Sequence, residues 1–424
     1  MFLANAAVPL ASVVDTAVIG AVGDKTDLGG VALGGTLFNV LYWSFYFLRM
    51  SSTGLAAQAE GAGDRLELQR ILVRAVGLSL LLGALSLLLR SPFAALGFQV
   101  LQGGPVVEEI GGVYFRGRSW GAPGAYATFA LTGWLIGLGR TGPVLVVQIV
   151  FSLTNILLDL WFVLGLGWGV AGVAWATAIA DTLAAVVGLG YAMQSLTARG
   201  GWLPGVFERA TLWSRRALRR LMSMNTDMMI RSWALLAGFA WFANAGAKQG
   251  AATLAGNHVL LQIVTVWAFV LDAYAYTAET AVGQAIGARS REAFSRAVRV
   301  TTELAIVSGA VFLVSTLIAG PWVLERWIAD PEARSAALRF LPYAAAIPFI
   351  GAAAWQLDGI FVGAMAAGAM RNASLWAVVL YVGLDRALTP LLGAHGMWLA
   401  FVGYYVTRAG TLLAQYRSVT RAFR

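Results

Sequence analysis

The sequence predicts an all-α integral membrane protein with twelve transmembrane helices in two six-helix lobes. Composition is the first observation: 59% of the 424 residues are hydrophobic and only 12% are charged, whereas soluble proteins carry roughly 25% charged residues. The second is a series of apolar segments of about 20 residues, the length that crosses a bilayer core. The third is an alternation of cation-rich and cation-poor connections, which is typical of successive membrane helices.

The first six apolar segments form a predicted N-lobe, residues 1–192. Pro9 and Pro123 lie inside these segments, and membrane helices tolerate them because neighbouring groups satisfy the freed backbone. The many glycines, 49 in all, allow close helix packing in lipid. The six predicted helices cover residues 2–22, 31–59, 71–89, 113–138, 144–164 and 170–191.

The last six segments form a predicted C-lobe, residues 222–424, and a linker at 193–221 joins the two lobes. Pro348 is the internal proline of the tenth helix and is tolerated for the same reason. The predicted helices cover residues 222–245, 253–285, 301–323, 337–366, 373–392 and 397–416.

Basic residues concentrate in alternate connections. Arginines follow predicted helices 2, 4, 6, 8 and 10 and recur in the tail, whereas the other connections are poor in cations or mixed in sign. Because cation-rich connections stay in the cytoplasm, we predict that both termini and the linker are cytoplasmic. In a soluble protein the net charge of +9 would favour nucleic-acid binding. Here the basic residues indicate which connections lie in the cytoplasm, so no nucleic-acid partner is predicted.

The two halves of the chain resemble each other. Residues 58–62, at the end of helix 2, match residues 284–288 at the end of helix 8, and residues 169–173 match 393–397 at the start of helices 6 and 12. With six helices per half, both halves keep one orientation. This pattern predicts a pseudo-two-fold axis along the membrane normal, with substrate bound between the repeats. A protein without transport activity can also inherit such a duplication.

Three polar residues of the N-lobe are the first candidates for function. A charge near the bilayer centre costs at least ~2.5–3.5 kcal/mol, yet Asp15 lies inside helix 1 with no cation within a turn. A carboxyl group kept from water can carry a proton, as a proton-coupled carrier requires. Asn155 and Asp159 lie four residues apart in helix 5 and hence on one face. Alternatively, these groups make only hydrogen bonds between helices.

A second group of intramembrane residues is predicted as a substrate site or an internal salt-bridge network. Asp227 precedes Arg231 by four residues, which makes them a possible helical pair, and we expect one of the nearby acids to neutralise Arg231. Aromatic rings can line a cavity for an organic cation. This group comprises Asp181, Arg231, Asp272, Glu279, Asp358, Tyr42 and Tyr126.

Several kinds of chemistry are absent from the sequence. The chain has no cysteine, and its two histidines, His258 and His395, are far apart, so we predict no metal site. No phosphate-binding loop, zinc-protease motif or nucleophile elbow is present. We therefore predict no cofactor and no enzymatic activity, and transport driven by an ion gradient.

The helix 1 and helix 2 segments resemble the multidrug and toxic compound extrusion (MATE) family, in its DinF-like branch. The resemblance continues at Asn155 to Asp159, Asp227 to Arg231, Asp272 with Glu279, and Asp358. It implies a V-shaped antiporter that exchanges amphiphilic cations for H⁺ or Na⁺, with Asp15 as the protonation site and Asn155 and Asp159 beside it. The segments of helices 1 and 2 are residues 8–20, 31–34, 47–50 and 53–59.

The predicted function is thus export of cationic or amphiphilic drugs or metabolites from a bacterial cell across the plasma membrane, coupled to H⁺ in preference to Na⁺. The expected partners are a small-molecule substrate and the lipid bilayer, and the expected state is a monomer. The alternative is a flippase for lipid-linked sugars of the same superfamily, which the mostly acidic intramembrane charge disfavours. A membrane glycosyltransferase would need an external acidic pair, for which Glu108 and Glu109 are the only candidates.

Overall fold

The fold is built from helices, grouped in two compact units at residues 1–219 and 220–424. The computed structural model describes residues 14–15, 18–20, 23–208, 212 and 214–420, and every regular element in these ranges is helical. Most of the predicted first helix lies outside the described residues. The described positions within it, 14–15 and 18–20, are helical and are called α1 here.

The first unit continues with eight helices and one π-helical turn. Asp24 caps α2, accepting from the backbone amides of Thr26 at 2.7 Å and Asp27 at 2.9 Å. These hydrogen bonds, that from Asp27 foremost, lower the pKa of the Asp24 carboxyl below its usual value. The elements are α2 (Lys25–Phe45), α3 (Phe47–Gly61), α4 (Arg65–Leu88), α5 (Arg90–Leu101), α6 (Pro105–Ser119), α7 (Ala122–Gly137), α8 (Thr141–Asp159), the π turn (Leu160–Gly165) and α9 (Gly169–Thr197).

Two predicted helices of this unit are interrupted, which corrects the continuous helices expected at 31–59 and 113–138, whereas the third ends at Leu88, close to its predicted end at 89. The second breaks at Tyr46, between α2 and α3. The fourth breaks between α6 and α7, where Pro123 lies in the first turn of the new helix, a position that suits it because it has no N–H to donate to the preceding turn. The third is followed by α5, with Pro92 in its first turn.

Close packing of α1, α2 and α9 against α6 fixes the interior of the first unit. Val18 and Ile19 of α1 join one apolar cluster with Tyr114 of α6 and Val173 of α9. On α2, a methyl group added to Gly34 would lie 2.5 Å from the carbonyl oxygen of Gly111. The two backbones therefore approach as closely as small residues allow in membrane helices.

The second unit contains seven helices, and the division between the units falls within the first turns of α10. Its core is a cluster of aromatic and aliphatic side chains centred on Trp398, Phe401 and Tyr404. The helices are α10 (Arg215–Ala247), α11 (Ala251–Gly287), α12 (Arg291–Trp327), α13 (Pro331–Gly363), α14 (Ala367–Leu392), α15 (Ala394–Ala414) and the short α16 (Arg417–Thr420).

Eight helices within the described ranges are long and apolar enough to cross a membrane. They coincide with predicted helices 2, 3, 5, 6, 8, 9, 10 and 11. Predicted helices 4, 7 and 12 are also helical, as α6 with α7, α10 and α15. Where the structure describes them, the predicted segments therefore lie mostly on helix, apart from the breaks given above and segment ends such as 364–366 and 415–416.

The beginning of the predicted linker is bound to the first unit. Helix α9 runs to Thr197, and Arg199 then pairs with Glu60 through two hydrogen bonds of 2.5 and 2.9 Å. The side chain of Gln69 donates to the carbonyl of Gly201 at 2.8 Å and accepts from the amide of Leu203 at 2.9 Å. These contacts hold the segment after α9 against α3 and α4. Its predicted cytoplasmic location stays a prediction.

Candidate functional site

Two buried carboxyl groups lie near each other in the first unit. Asp15 of α1 is 6% exposed and Asp159, the last residue of α8, is 0% exposed. The two groups are close enough to interact electrostatically. The two carboxyl groups lie within hydrogen-bonding reach of each other, and apart from this contact neither oxygen of Asp159 nor Oδ1 of Asp15 has a hydrogen-bond partner among the residues that the structure describes. Such unsatisfied acceptors are costly away from water, and a proton between the two groups would satisfy them.

Asn155 faces the same interior but bonds to a different helix. Its amide nitrogen donates to Thr177 Oγ1 of α9 at 3.1 Å, and that hydroxyl donates to the Val173 carbonyl at 3.0 Å. Asn155 Oδ1 has no partner within the described part of the chain. The sequence-predicted pair is thus on one face, but Asn155 is anchored to α9 and does not hydrogen-bond Asp159.

The helix changes geometry directly after Asp159. The α-helix ends there and six residues, Leu160–Gly165, form a π-helical turn. Such turns insert an extra residue into the helical repeat and are frequent at functional sites. The turn also contributes Val163 to the apolar cluster that holds α1. Asp159 is therefore positioned by an irregular element that the sequence analysis did not identify.

Asp181 lies in the same interior, on α9. It is 5% exposed, and its Oδ2 would lie 3.2 Å from a methyl group added to Gly121, at the break between α6 and α7. Asp181 also interacts electrostatically with Asp15. Three acids from α1, α8 and α9 therefore share one interior.

A cation that the sequence analysis missed lies among these acids. Arg118 of α6 interacts electrostatically with Asp15, Asp159 and Asp181. Its guanidinium donates to Tyr114 Oη at 2.7 Å and lies 4.4 Å from the ring centre of Phe38. Arg118 could have been selected from the sequence, because it lies inside a predicted membrane helix, five residues beyond Val113.

The two predicted aromatic residues border this interior. Tyr42 of α2 packs its ring 4.5 Å from that of Phe129, and Tyr126 of α7 packs 4.7 Å from Phe45. Both interact electrostatically with Asp181. Tyr126 is fully buried. The N-terminal candidates of the sequence analysis therefore come together, with Tyr42 and Tyr126 beside the acids.

The second unit has its own buried charge cluster. Asp358 of α13 accepts from Arg231 of α10 at 2.6 Å and, through the same Oδ2, from Arg408 of α15. All three residues are buried, with 5–7% exposure. Arg231 is thus neutralised by an acid as expected, and Arg408 is a second cation that the sequence analysis did not select.

The remaining C-terminal candidates lie on α11 and α10. Asp272 of α11 interacts electrostatically with Tyr405, which in turn interacts with Arg408. Glu279, two turns further along α11, is 2% exposed. The possible pair of Asp227 with Arg231 is not formed, because Asp227 accepts from Arg371 of α14 at 2.6 Å.

Comparison with known proteins gives one consistent family. A family model described as MatE matches residues 1–161 and 228–385. The chain is 36% identical to DNA damage-inducible protein F of Escherichia coli (strain K12), over 98% of this chain and 90% of that protein. It is 26% identical to a probable multidrug resistance protein NorM of Bradyrhizobium diazoefficiens, over 96% of this chain and 89% of that protein.

Solved structures share the fold at low sequence identity. A crystal structure of MATE in complex with MaL6 superposes with a TM-score of 0.89 at 18% identity, covering 100% of this chain and 94% of that one. A MOP superfamily transporter from Pyrococcus furiosus gives a TM-score of 0.89 at 17% identity, with the same coverage. These likenesses confirm the predicted fold class.

Proposed function

The chain belongs to the MatE family, the family that its helix 1 and helix 2 segments resemble, and from that premise we propose that it exports amphiphilic organic cations in exchange for H⁺. Members of this family are transporters, and the relatives described above include multidrug resistance proteins. The proposal adds to that membership a substrate charge and a coupling ion. It also assigns both to the interior of the first unit.

The observation that carries the proposal is the excess of acid in that interior. Asp15, Asp159 and Asp181 share it with one described cation, Arg118. Because opposite charges attract strongly where water is scarce, such an interior favours a cationic substrate. The nearby rings of Tyr42 and Tyr126 can add cation–π attraction.

Asp15 and Asp159 supply a place for the coupling proton. Two adjacent carboxyl groups away from water repel each other when both are ionised, and a shared proton removes that repulsion. Binding of a cation compensates the same negative charge. Proton and substrate therefore compete for one pair of groups, which is the condition for exchange.

Coupling also requires two states of the protein with different affinities for the proton. Asp15 lies on α1, whose Val18 and Ile19 pack against α6, α9 and the π turn. In the proposed cycle, protonation of Asp15 changes its contact with Asp159, shifts α1 and reduces the space open to substrate. The cargo then leaves on the outer side of a bacterial plasma membrane, with both termini in the cytoplasm and the chain acting as a monomer.

The proposal is tested by cation efflux from proteoliposomes, with a pH gradient and a Na⁺ gradient imposed separately. We expect the wild type to move a fluorescent organic cation in response to the pH gradient. Asp15→Asn should abolish this response, because the amide keeps the shape of the carboxyl but does not titrate.

Asp24→Asn is the matched control. Asp24 is an exposed helix cap, and asparagine caps helices as well as aspartate does, so its efflux should equal that of the wild type. Proton-driven efflux that persists in Asp15→Asn would refute the assigned proton site. Efflux that responds only to Na⁺ would refute the assigned coupling ion.

A further inference from the structure

We propose that Arg118 is a built-in cation that limits the negative charge of the interior of the first unit, and that it thereby selects singly charged over doubly charged organic cations as substrates. This inference rests on the proposed function. It concerns specificity, which the acids alone do not determine. When ionised, the three carboxylates and the guanidinium carry a net charge of −2 rather than the −3 of the acids alone, which weakens the attraction for a second positive charge on the substrate.

The guanidinium of Arg118 is fixed in place by uncharged partners. It donates to Tyr114 Oη at 2.7 Å and lies 4.4 Å from the ring centre of Phe38 and 5.9 Å from that of Tyr114. Phe38 is fully buried, and it packs with Phe115 of the same helix as Arg118. These contacts hold the guanidinium at one position on α6. Because its partners are uncharged, they do not neutralise its positive charge, which can attract the nearby acids.

Arg118 acts on the acids through space without covering them. It interacts electrostatically with Asp15, Asp159 and Asp181, yet within the described ranges no carboxylate oxygen forms a salt bridge with it. Apart from the contact between the Asp15 and Asp159 carboxyl groups, the oxygens of Asp159 and one oxygen each of Asp15 and Asp181 have no hydrogen-bond partner there. The carboxyl groups therefore remain available to a proton or a ligand, while the fixed charge offsets one of them.

The other groups around these acids carry no charge at neutral pH. Tyr42 and Tyr46 come from the α2 side, Tyr114 from α6 and Tyr126 from α7, and each interacts electrostatically with this group of residues. Arg49 lies over the ring of Tyr46 at 5.0 Å. Among the described residues, Arg118 is a cation that acts electrostatically on both Asp159 and Asp181.

The experiment compares binding of two fluorescent dyes that share one ring system, ethidium with one positive charge and propidium with two. Affinities are measured for the full chain in detergent at fixed pH. Arg118→Gln raises the net negative charge of the site by one. We expect the ratio of propidium to ethidium affinity to rise at least about tenfold, because each unit of charge is felt strongly in a poorly hydrated site.

Three further variants separate charge from shape. Arg118→Lys keeps the charge and should keep the wild-type ratio. Arg116→Gln removes an exposed arginine from the same helix and should also keep it. Arg118→Gln combined with Asp181→Asn restores the net charge of −2 and should return the ratio to the wild-type value.

The Asp181→Asn background keeps the test decisive if Arg118→Gln does not fold. Adding Arg118→Gln to Asp181→Asn changes the charge by the same single unit, and the ratio should rise by a similar factor. Dye binding with ratios within about twofold of each other across these variants would overturn the role of Arg118 alone. If the wild type bound neither dye, both the proposed export of organic cations and the role of Arg118 would be refuted.

Discussion

At the scale of single residues, the two units handle buried charge in opposite ways. In the second unit, Arg231 and Arg408 both contact Oδ2 of Asp358 directly, so each of these buried charges has a partner of opposite sign, although Asp358 Oδ1 has no partner among the described residues. In the first unit, Asp15 and Asp159 keep oxygens without described partners. An unsatisfied buried charge costs free energy. Direct pairing of charges, as in the second unit, is therefore typical of a structural network. Carboxyl oxygens without such partners, as in the first unit, are typical of a site that binds a proton or a ligand.

The shared carboxylate of the second unit leads to a stability prediction. Asp358→Asn leaves two buried guanidinium groups without their common negative partner. We expect a loss of about 3–5 kcal/mol in the free energy of unfolding, the usual effect of removing one member of a buried ion pair. Unfolding by SDS in mixed micelles, followed by circular dichroism, measures it.

Glu292→Gln is the control for that measurement. Glu292 pairs with Arg296 at 2.5 Å on the surface of α12, where both side chains are mostly exposed. Its loss should cost less than about 1 kcal/mol. Equal effects of the two substitutions would contradict a buried, mutually dependent cluster around Asp358.

At the scale of helices, irregularities place the functional side chains. The break between α6 and α7 brings Gly121 beside Asp181, and the π turn begins directly after Asp159. Local backbone bonds span both breaks, as when the amide of Gly121 donates to the Arg118 carbonyl at 2.9 Å. The sequence analysis predicted continuous helices here because hydrophobicity alone does not distinguish a straight helix from an interrupted one.

Adjacent glycines of α2 give a prediction about helix packing. A methyl group on Gly34 would lie 2.5 Å from the backbone oxygen of Gly111, which cannot move without shifting α6. Gly34→Ala should therefore destabilise the protein by about 1–3 kcal/mol, the usual cost of overpacking. Its free energy of unfolding is measured as for Asp358→Asn.

Gly35→Ala is the matched control, and its effect on the free energy of unfolding should have the opposite sign. A methyl group at Gly35 would lie 3.8 Å from the Tyr114 ring, an ordinary contact. The substitution then stabilises the helix by up to about 1 kcal/mol, because alanine favours helix over glycine. Destabilisation by Gly35→Ala as large as that by Gly34→Ala would contradict the close approach of α2 and α6.

At the scale of the whole molecule, membrane topology follows from charge, and the absence of cysteine makes it testable. The chain has no native cysteine, so a single introduced cysteine reports on one position without background. Ala288 and Lys248 are both exposed, at the C-cap of α11 and after α10 respectively. The charge pattern predicts that they lie on opposite sides of the membrane.

A membrane-impermeant maleimide applied to spheroplasts measures this topology. Lys248→Cys should be labelled in intact spheroplasts, because its connection is predicted to be external. Ala288→Cys should be labelled only after permeabilisation, because arginines mark its connection as cytoplasmic. The reverse pattern would place both termini outside the cell.

The sequence by itself determined the class of the protein and much of the candidate site. Runs of apolar residues define membrane helices locally, and a charged or polar side chain within such a run is visible without any structure. Asp15, Asn155 and Asp159 are identified in this way. The repeat of six helices was likewise readable from residues at nearly constant separation. These features depend only on neighbours along the chain.

The tertiary structure decided which charges meet. Arg118 and Asp181 lie on helices far apart in sequence and come together only where α6 packs against α9. The same is true of Arg408 with Asp358, and of Asp227, which pairs with Arg371 rather than with Arg231 one turn away. The physical reason is that a buried charge selects its partner by distance and direction across a helix interface, and neither is encoded in spacing along one helix.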